Sequence, residues 1–279
     1  MGLILPGLYA SLVQPVGWKI NRERAVVYFG WPAAILMQFA HPLVAAGVAQ
    51  HSQFRAGLAT RLERLRCTVD SMLALVFGTP EQAAAAAEAI NRIHDRVNGR
   101  ACEAAGAWSP GIGYSAHDPA LLRWVYATLL DVLPRAYELY VRPLSAEEKE
   151  RYCREASAIA PLLGIPEGYL PSSRRELAAY LGWMVSTGQV GVGGTARELA
   201  GALLHPAPRL VDPLLWPLRL AAVGLLPTDF RRAYGFAWGP RHDRSWRLSA
   251  ALIRRGLPLA PPALRYWPLA RAAYASSRT

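Results

Sequence analysis

From Ala25 to Phe54 the chain runs for thirty residues without a lysine, arginine, aspartate or glutamate. A stretch that long has to leave water, either into a protein core or into a bilayer, which about 20 apolar residues can span. Its punctuation favours the core. Gly30-Trp31-Pro32, Gln38, His41-Pro42 and Gln50-His51 interrupt the run at intervals too short for a continuous span. The spacing predicts two buried helices that break near His41-Pro42.

The rest of the chain reads as helical too. Thr79 with Gln82, Ser145 with Glu148, Ser173 with Glu176 and Thr195 with Glu198 fit the capping box. Asp118-Pro119 and Asp212-Pro213 each place a cap acceptor before a proline. Asn98-Gly99, Gly164 and Gly188 read as stops. Helices are expected over Pro32–Ala40, Pro42–His51, Leu58–Phe77, Pro80–Val97, Pro119–Tyr140, Ala146–Leu163, Arg174–Ser186 and Ala196–His205, with shorter ones to the C-terminus. The Leu58–Phe77 segment carries an apolar stripe of Leu58, Leu62, Leu65, Val69, Met72 and Val76. Strand patterns are almost absent, and Gly99 to His117 reads as a long unstructured stretch of the kind that forms a functional edge or lid. The fold class is all-α.

Apolar residues make up 52% of the 279, with nine Trp and twelve Tyr, which excludes a disordered chain. That length suffices for one large core, so residues 1–279 are expected to form a single domain. Only 18% are charged, against about 25% in ordinary globular domains, so much of the surface should lie inside or against something. The net charge of +11 is lopsided: His205 to Thr279 holds twelve Arg and three Asp, whereas the front is nearly balanced. That tail lacks lysine and carries Trp216, Trp238, Trp246 and Trp267, which suggests packing or a lipid interface rather than a nucleic-acid groove. Cys67, Cys102 and Cys153 cannot pair off and have no metal spacing, so a reducing, cytoplasmic setting is expected. No basic segment precedes the uncharged first eighteen residues, which argues against a secretory signal.

Several motifs fail on context. Gly191-Val192-Gly193-Gly194-Thr195-Ala196 matches a dinucleotide fingerprint, but no strand precedes it, and a flexible connector is the expectation. Gly113-Tyr114-Ser115-Ala116-His117 ends in His where a nucleophile elbow needs Gly. The histidines are more informative. Ile90, Ile93, His94 and Val97 fall at i, i+3, i+4 and i+7, which sets His94 in the apolar stripe of its helix. A buried neutral imidazole needs partners, and iron is one; hydrogen bonding in the core near a helix C-terminus is the other account. Arg61, Arg64, Thr68 and Ser71 form a polar stripe on the preceding helix, either a solvated face or a clamp for anionic groups. His41 and His51 could line a pocket or satisfy each other.

Three blocks carry a resemblance. Gln38-Phe39-Ala40-His41-Pro42-Leu43-Val44-Ala45-Ala46-Gly47-Val48 runs on to His51-Ser52-Gln53-Phe54-Arg55. Arg92-Ile93-His94-Asp95-Arg96-Val97 and Tyr114-Ser115-Ala116-His117-Asp118-Pro119-Ala120-Leu121-Leu122-Arg123-Trp124-Val125 follow. Together they resemble the short bacterial members of the DUF2236 family, in the MpaB and rubber oxygenase superfamily, most strongly from Arg22 to Tyr180. The resemblance implies a single helical bundle enclosing a haem b pocket and an O2-using oxygenase acting on an apolar substrate, isoprenoid or secondary metabolite. His94 matches the axial histidine of the R-x-x-H motif, although Asn91 stands at the arginine position with Arg92 beside it. Arg64-Leu65-Arg66-Cys67-Thr68 matches R-x-x-K-T with Cys67 in the lysine position.

In that reading His94 ligates iron, Arg64, Arg92 and Cys67 contact the cofactor, and His41, His51 and Thr68 edge the O2 side. An electron donor is implied without being identified, and no nucleic acid is expected. Trp124-Val125-Tyr126-Ala127-Thr128-Leu129 and His51-Ser52-Gln53-Phe54 depart from the commoner W-V-H-A-T-L and H-S-D-F. The departures set the chain apart from rubber-type chemistry. With the Arg- and Trp-rich tail, they also leave an alternative, a non-catalytic helical protein on a membrane surface that keeps the fold without iron.

Overall fold

The computed structural model describes residues 15–51, 58–157, 159–206 and 212–277, with backbone only at 58–62 and 64. Its helices are α1 (Val16–Asn21), α2 (Arg24–Phe39), α3 (Pro42–His51), α4 (Leu58–Phe77), α5 (Pro80–His94), α6 (Pro119–Tyr140) and α7 (Ala146–Ser157). There follow α8 (Arg174–Ser186), α9 (Gly194–Leu204), α10 (Trp216–Leu225), α11 (Thr228–Tyr234), α12 (Pro240–Gly256), α13 (Pro262–Arg265) and α14 (Pro268–Ser276). The predominantly all-α expectation holds. Among the described residues the exception is one antiparallel pair, β1 (Asn98–Arg100) with β2 (Gly113–Ser115).

The charge-free run does form two helices that break at Ala40-His41, and the axes of α2 and α3 turn by 106° there. Among the described residues no single helix is long and apolar enough to cross a membrane; this bent pair passes only by length and composition. Most of α2 is buried, from Ala25 to Phe39. It starts eight residues before Pro32, where the sequence places its first turn. Pro32 sits inside the helix, where its missing N–H leaves one carbonyl of the preceding turn unbonded. Packing along α6 offsets that loss. The α2–α6 contact is the most extensive in the molecule, and Leu36, Met37, Trp124, Leu130 and Tyr140 are fully buried.

Local signals place most boundaries. Thr79 and Gln82 exchange both capping-box bonds at α5, as do Ser145 and Glu148 at α7, and Asp118 accepts from the Ala120 N–H at α6 (2.8 Å). At α8 the box is half made: the Glu176 N–H donates to Ser173, but the Glu176 carboxylate turns to Ser172. Helix α7 stops at Ser157 and a separate 3-10 turn covers Ala160–Leu163, closed by Gly164 at φ +78°. Asp212 caps nothing; its carboxylate takes Arg219 (2.7 Å) and His205 (2.9 Å).

Glu148 also receives two bonds from Arg142, at 2.7 and 3.0 Å, and that guanidinium foremost holds its carboxyl at about 2 against an ordinary 4.5. A carboxylate depressed by folding adds stability that is complete above its unfolded value and is lost as pH falls through its folded one. Stability should therefore fall between about pH 4.5 and about pH 2, and Glu148→Gln should flatten that slope in urea unfolding curves.

Candidate active site

Residues 95 to 118 link α5 to α6, and they organise the candidate site instead of forming an unstructured stretch. β1 and β2 pair with Gly99 opposite Tyr114. Position 99 admits no side chain: a Cβ would stand 2.7 Å from the Tyr114 hydroxyl and 2.8 Å from Gln50 Oε1. That space lets Tyr114 donate to Gln50 (2.7 Å) and ties the ribbon to α3. The far end of the loop docks on the 187–194 segment. The Ala107 N–H donates to the Gly188 carbonyl (2.7 Å), Trp108 Nε1 to that of Gln189 (2.9 Å), and the Gly191 N–H to that of Ala40 (2.8 Å).

The glycine-rich segment is therefore a close-packed contact rather than a flexible connector; a Cβ on Gly191 would lie 2.4 Å from the Gly106 nitrogen. Beyond it, the Glu103 carboxylate caps α9, accepting from the Gly194 (2.9 Å) and Thr195 (2.8 Å) N–H groups. Burial would raise the Glu103 pKa, but these bonds, with Arg197 nearby, lower it. Thr195 therefore lies inside α9 and is not its cap.

His94 is the last residue of α5 and is half-buried. Its Nδ1 is buried and makes no hydrogen bond among the described residues. One turn earlier on the same face, Asn91 leaves a buried Oδ1 without a partner, while its Nδ2 reaches the Leu162 carbonyl at 3.5 Å. Burial first, and the nearby His117 second, lower the pKa of His94 against the opposing effect of Asp95. The imidazole is thus neutral at pH 7 and keeps a lone pair. The His117 ring meets it edge-on at 5.8 Å, and His117 Nε2 donates to Asp95 Oδ1 at 2.8 Å.

The apolar stripe of α5 differs from the sequence reading in two members, Ile93 and Val97. Ile93 is 61% exposed, and the inward line runs through Ala83, Ala86, Ala87, Ile90, Asn91 and His94. Position 97 lies beyond the helix, and so does the Asn98-Gly99 stop, which instead belongs to β1. Helices α4 and α5 pack as a hairpin about Gly78-Thr79. Position 64 is thirteen residues from one end of that turn and His94 fourteen from the other, so both sit about 20 Å along it. At this level the stripe of α4 is uncovered: Leu65 is 44% exposed, whereas Val69 and Leu73 are buried.

The remaining candidates scatter. Arg92 pairs with Glu88 at 2.6 Å on the exposed side of α5, and two residues from His94 means about 200° around the helix. It does not share the face of His94. Cys67 and Thr68 are exposed on α4, with Cys67 Sγ 3.8 Å from Glu63. The side chain of Arg64 lies outside the described residues.

His41 precedes α3 and His51 is its last residue, about 15 Å apart along it, so they neither satisfy each other nor edge one spot. His41 is 3% exposed, 5.2 Å from the Trp108 ring, and pushed down to about 4 by burial. His51 is exposed and donates from Nε2 to the Asn98 carbonyl (2.9 Å). His117 and Asp95 escaped the sequence reading of roles, although both fall in the blocks that carried the resemblance.

Two cavities, of about 330 Å³ and 140 Å³, open elsewhere, the smaller between α3 and the Ala101–Glu103 strand exit; His94 lines neither. Among the described residues no three His, Cys, Asp or Glu side chains converge to hold a bare metal ion. A lone imidazole is enough when the other ligand atoms arrive with a macrocycle.

A family model described as "ER-bound oxygenase mpaB/B'/Rubber oxygenase, catalytic domain" matches residues 18–255. No curated protein and no solved structure matches the chain. The family match takes in nearly all of the helices just described, α2 through α11 entire, and the His94 face with them. The chain belongs to the mpaB and rubber oxygenase family and carries its oxygenase catalytic domain.

Proposed function

We propose that the chain is a haem b-dependent oxygenase that uses O2 on an apolar substrate, with His94 as the residue that would hold the iron. The observation that carries this reading is the face of α5 on which His94 Nδ1 and Asn91 Oδ1 are buried with no hydrogen-bond partner among the described residues. Buried polar atoms are ordinarily satisfied, and orphaned ones mark a missing ligand or a functional group. Haem supplies the redox-active iron at which O2 is activated.

The chain's own residues do the rest. Burial keeps His94 unprotonated, so its lone pair is available to iron without proton loss. The His117–Asp95 pair holds a ring edge against His94 and restricts its rotation. Leu65 and Ile93 offer apolar surface at the same level of the hairpin for a macrocycle or substrate. Arg64 keeps the propionate role in this reading, and Arg92 loses it because it faces away. Thr68 and Cys67, on the helix opposite, are the polar groups assigned to the cofactor's edge. His51 is assigned to the ribbon side, and His41 packs in the core beside Trp108, its Nδ1 likewise without a hydrogen-bond partner among the described residues.

The test is haem titration of the purified full chain. The expected result is a Soret band that saturates at one haem per chain; a spectrum no different from free haem overturns the reading.

A second reading concerns location and rests on α12. Leu248 and Leu252 are each 60% exposed at i and i+4, and Arg241, Arg244 and Arg255 share their face. An amphipathic helix of that pattern suits the surface of an anionic membrane. The protein should float with vesicles containing anionic lipid at low salt and be released as salt rises. The double variant Leu248→Glu, Leu252→Glu should lose that binding by at least about tenfold. No flotation of the parent chain at low salt sinks this reading.

A further inference from the structure

The larger cavity lies on the other side of α12 from those leucines, between α6, the α10–α11 link and α12. We propose that this groove binds a phosphate-bearing small molecule through Arg135, Arg231 and Arg247. Three guanidinium groups line it against a single carboxylate, Asp243. The neighbouring acids leave donors free. Arg135 uses Nη1 on Asp131, four residues back (2.9 Å), and Arg247 uses Nε on Asp243 (2.7 Å).

Among the described residues Arg231 has no carboxylate within ion-pair distance. Its Nη2 donates to the Thr228 hydroxyl at 3.1 Å, its Nη1 reaches the Gly224 carbonyl at 3.5 Å, and its guanidinium carbon lies 5.1 Å from the Trp238 ring centre. Burial first, and Arg135 after it, work against the charge of Arg231, with Asp243 only partly opposing them. A partly buried guanidinium without an ion pair of its own among the described residues is costly, and such a group is where an anion binds well.

The lining carries an excess of two positive charges, which a phosphate dianion balances. Guanidinium forks bind phosphate oxygens in pairs, and the Thr228 hydroxyl adds a further polar contact. The volume of about 330 Å³ falls at the lower end of the small-molecule range of about 300–1,000 Å³, so it has room for more than a bare ion. Leu139, Leu226 and Trp246 provide an apolar wall for the organic part. The phosphate could belong to a free phosphomonoester or to a lipid headgroup, and the two sources separate experimentally.

Calorimetric titration of the full chain with glycerol 3-phosphate and with inorganic phosphate, at fixed ionic strength, tests the site. Glycerol 3-phosphate should bind, inorganic phosphate more weakly, and Arg231→Gln should weaken binding by at least about tenfold. Arg231→Lys keeps the charge without the fork and should fall between. Arg247→Gln alters a side chain that is 70% exposed, so it tests the site without threatening the fold. Vesicles containing phosphatidic acid, offered to the Leu248→Glu, Leu252→Glu variant, provide the lipid arm. Binding there alone, with the same dependence on Arg231, assigns the phosphate to a headgroup. No binding of any probe, or binding that both glutamine variants leave unchanged, overturns the proposal.

Discussion

His94→Ala, reconstituted with haem as the parent chain is, should show no Soret band beyond that of free haem. Loss of the ligand is expected to be all-or-none, because no second histidine among the described residues shares its face of α5. His117 is the nearest imidazole, with ring centres 5.8 Å apart, but its Nε2 is committed to Asp95. The substitution should cost the fold little, since the ring is only half-buried and its Nδ1 holds no partner that would be orphaned. Circular dichroism of the apo variant separates the two effects: a parent-like spectrum and melting curve with no Soret band assigns the loss to ligation. Added imidazole should restore part of the band by filling the vacated position. His117→Ala serves as the control and should keep the band. An unchanged Soret band in His94→Ala would falsify the assignment of the axial ligand.

The same geometry would set the acid limit of the proposed haem binding. A proton competes with iron for the imidazole lone pair, so binding weakens once pH falls below the pKa of the free histidine. Burial and His117 lower that pKa, and haem should therefore persist further into acid than an ordinary histidine allows. Removing His117 takes away one of the two lowering influences. His117→Ala should accordingly keep its Soret band at pH 7 but lose it at a higher pH than the parent.

What could be read from the sequence divides by the range of the interactions. Pro42–His51, Leu58–Phe77, Pro119–Tyr140 and Arg174–Ser186 appear as helices with the expected ends. Their caps and stripes act within a few residues, so a local reading suffices. Read locally, Pro32 looks like a first-turn residue, and only the distant α6 explains why α2 begins eight residues earlier and continues through it. The β1–β2 pair was invisible for the same reason. Two strands of three residues carry no periodic signal, and Gln50, Gly188 and Gln189 hold their loop from other parts of the chain. At the site, the spacing around His94 places the ring on the inward face, although Ile93 of the same spacing points outward. The partner ring of His117 arrives from beyond the ribbon, and nothing local to residue 94 announces it. Arg92 shows the converse: adjacency in a motif does not mean adjacency in space, because two residues along a helix point apart.

The basic tail holds the second large effect. Glu23 is 0% exposed at the N-terminus of α2, and Arg265 in α13 reaches it with Nε at 2.9 Å and Nη2 at 2.8 Å. Glu23 also foremost holds Arg265 above its ordinary pKa. Around this pair the tail closes on the front. The Trp267 N–H donates to the Arg22 carbonyl (3.3 Å), and Arg22 lies over the rings of Tyr266 and Tyr274. Part of the excess of arginine is thus structural and unavailable to any external anion. Removing one partner of a buried pair leaves an uncompensated charge, at a cost of about 3–5 kcal/mol. Glu23→Ala should therefore lower Tm by roughly 6–20 °C, at about 2–4 °C per kcal/mol for a chain of this size.

Arg265→Ala leaves the carboxylate, the more deeply buried partner, with only Arg22 beside it at 3.9 Å and should cost a similar amount. The double variant Glu23→Leu, Arg265→Met replaces both charges with apolar groups of similar size and should recover most of the loss. Calorimetry on the three proteins makes the comparison. Should Glu23→Ala cost less than about 1 kcal/mol, the pair behaves as an exposed one, and the tail is not locked to α2.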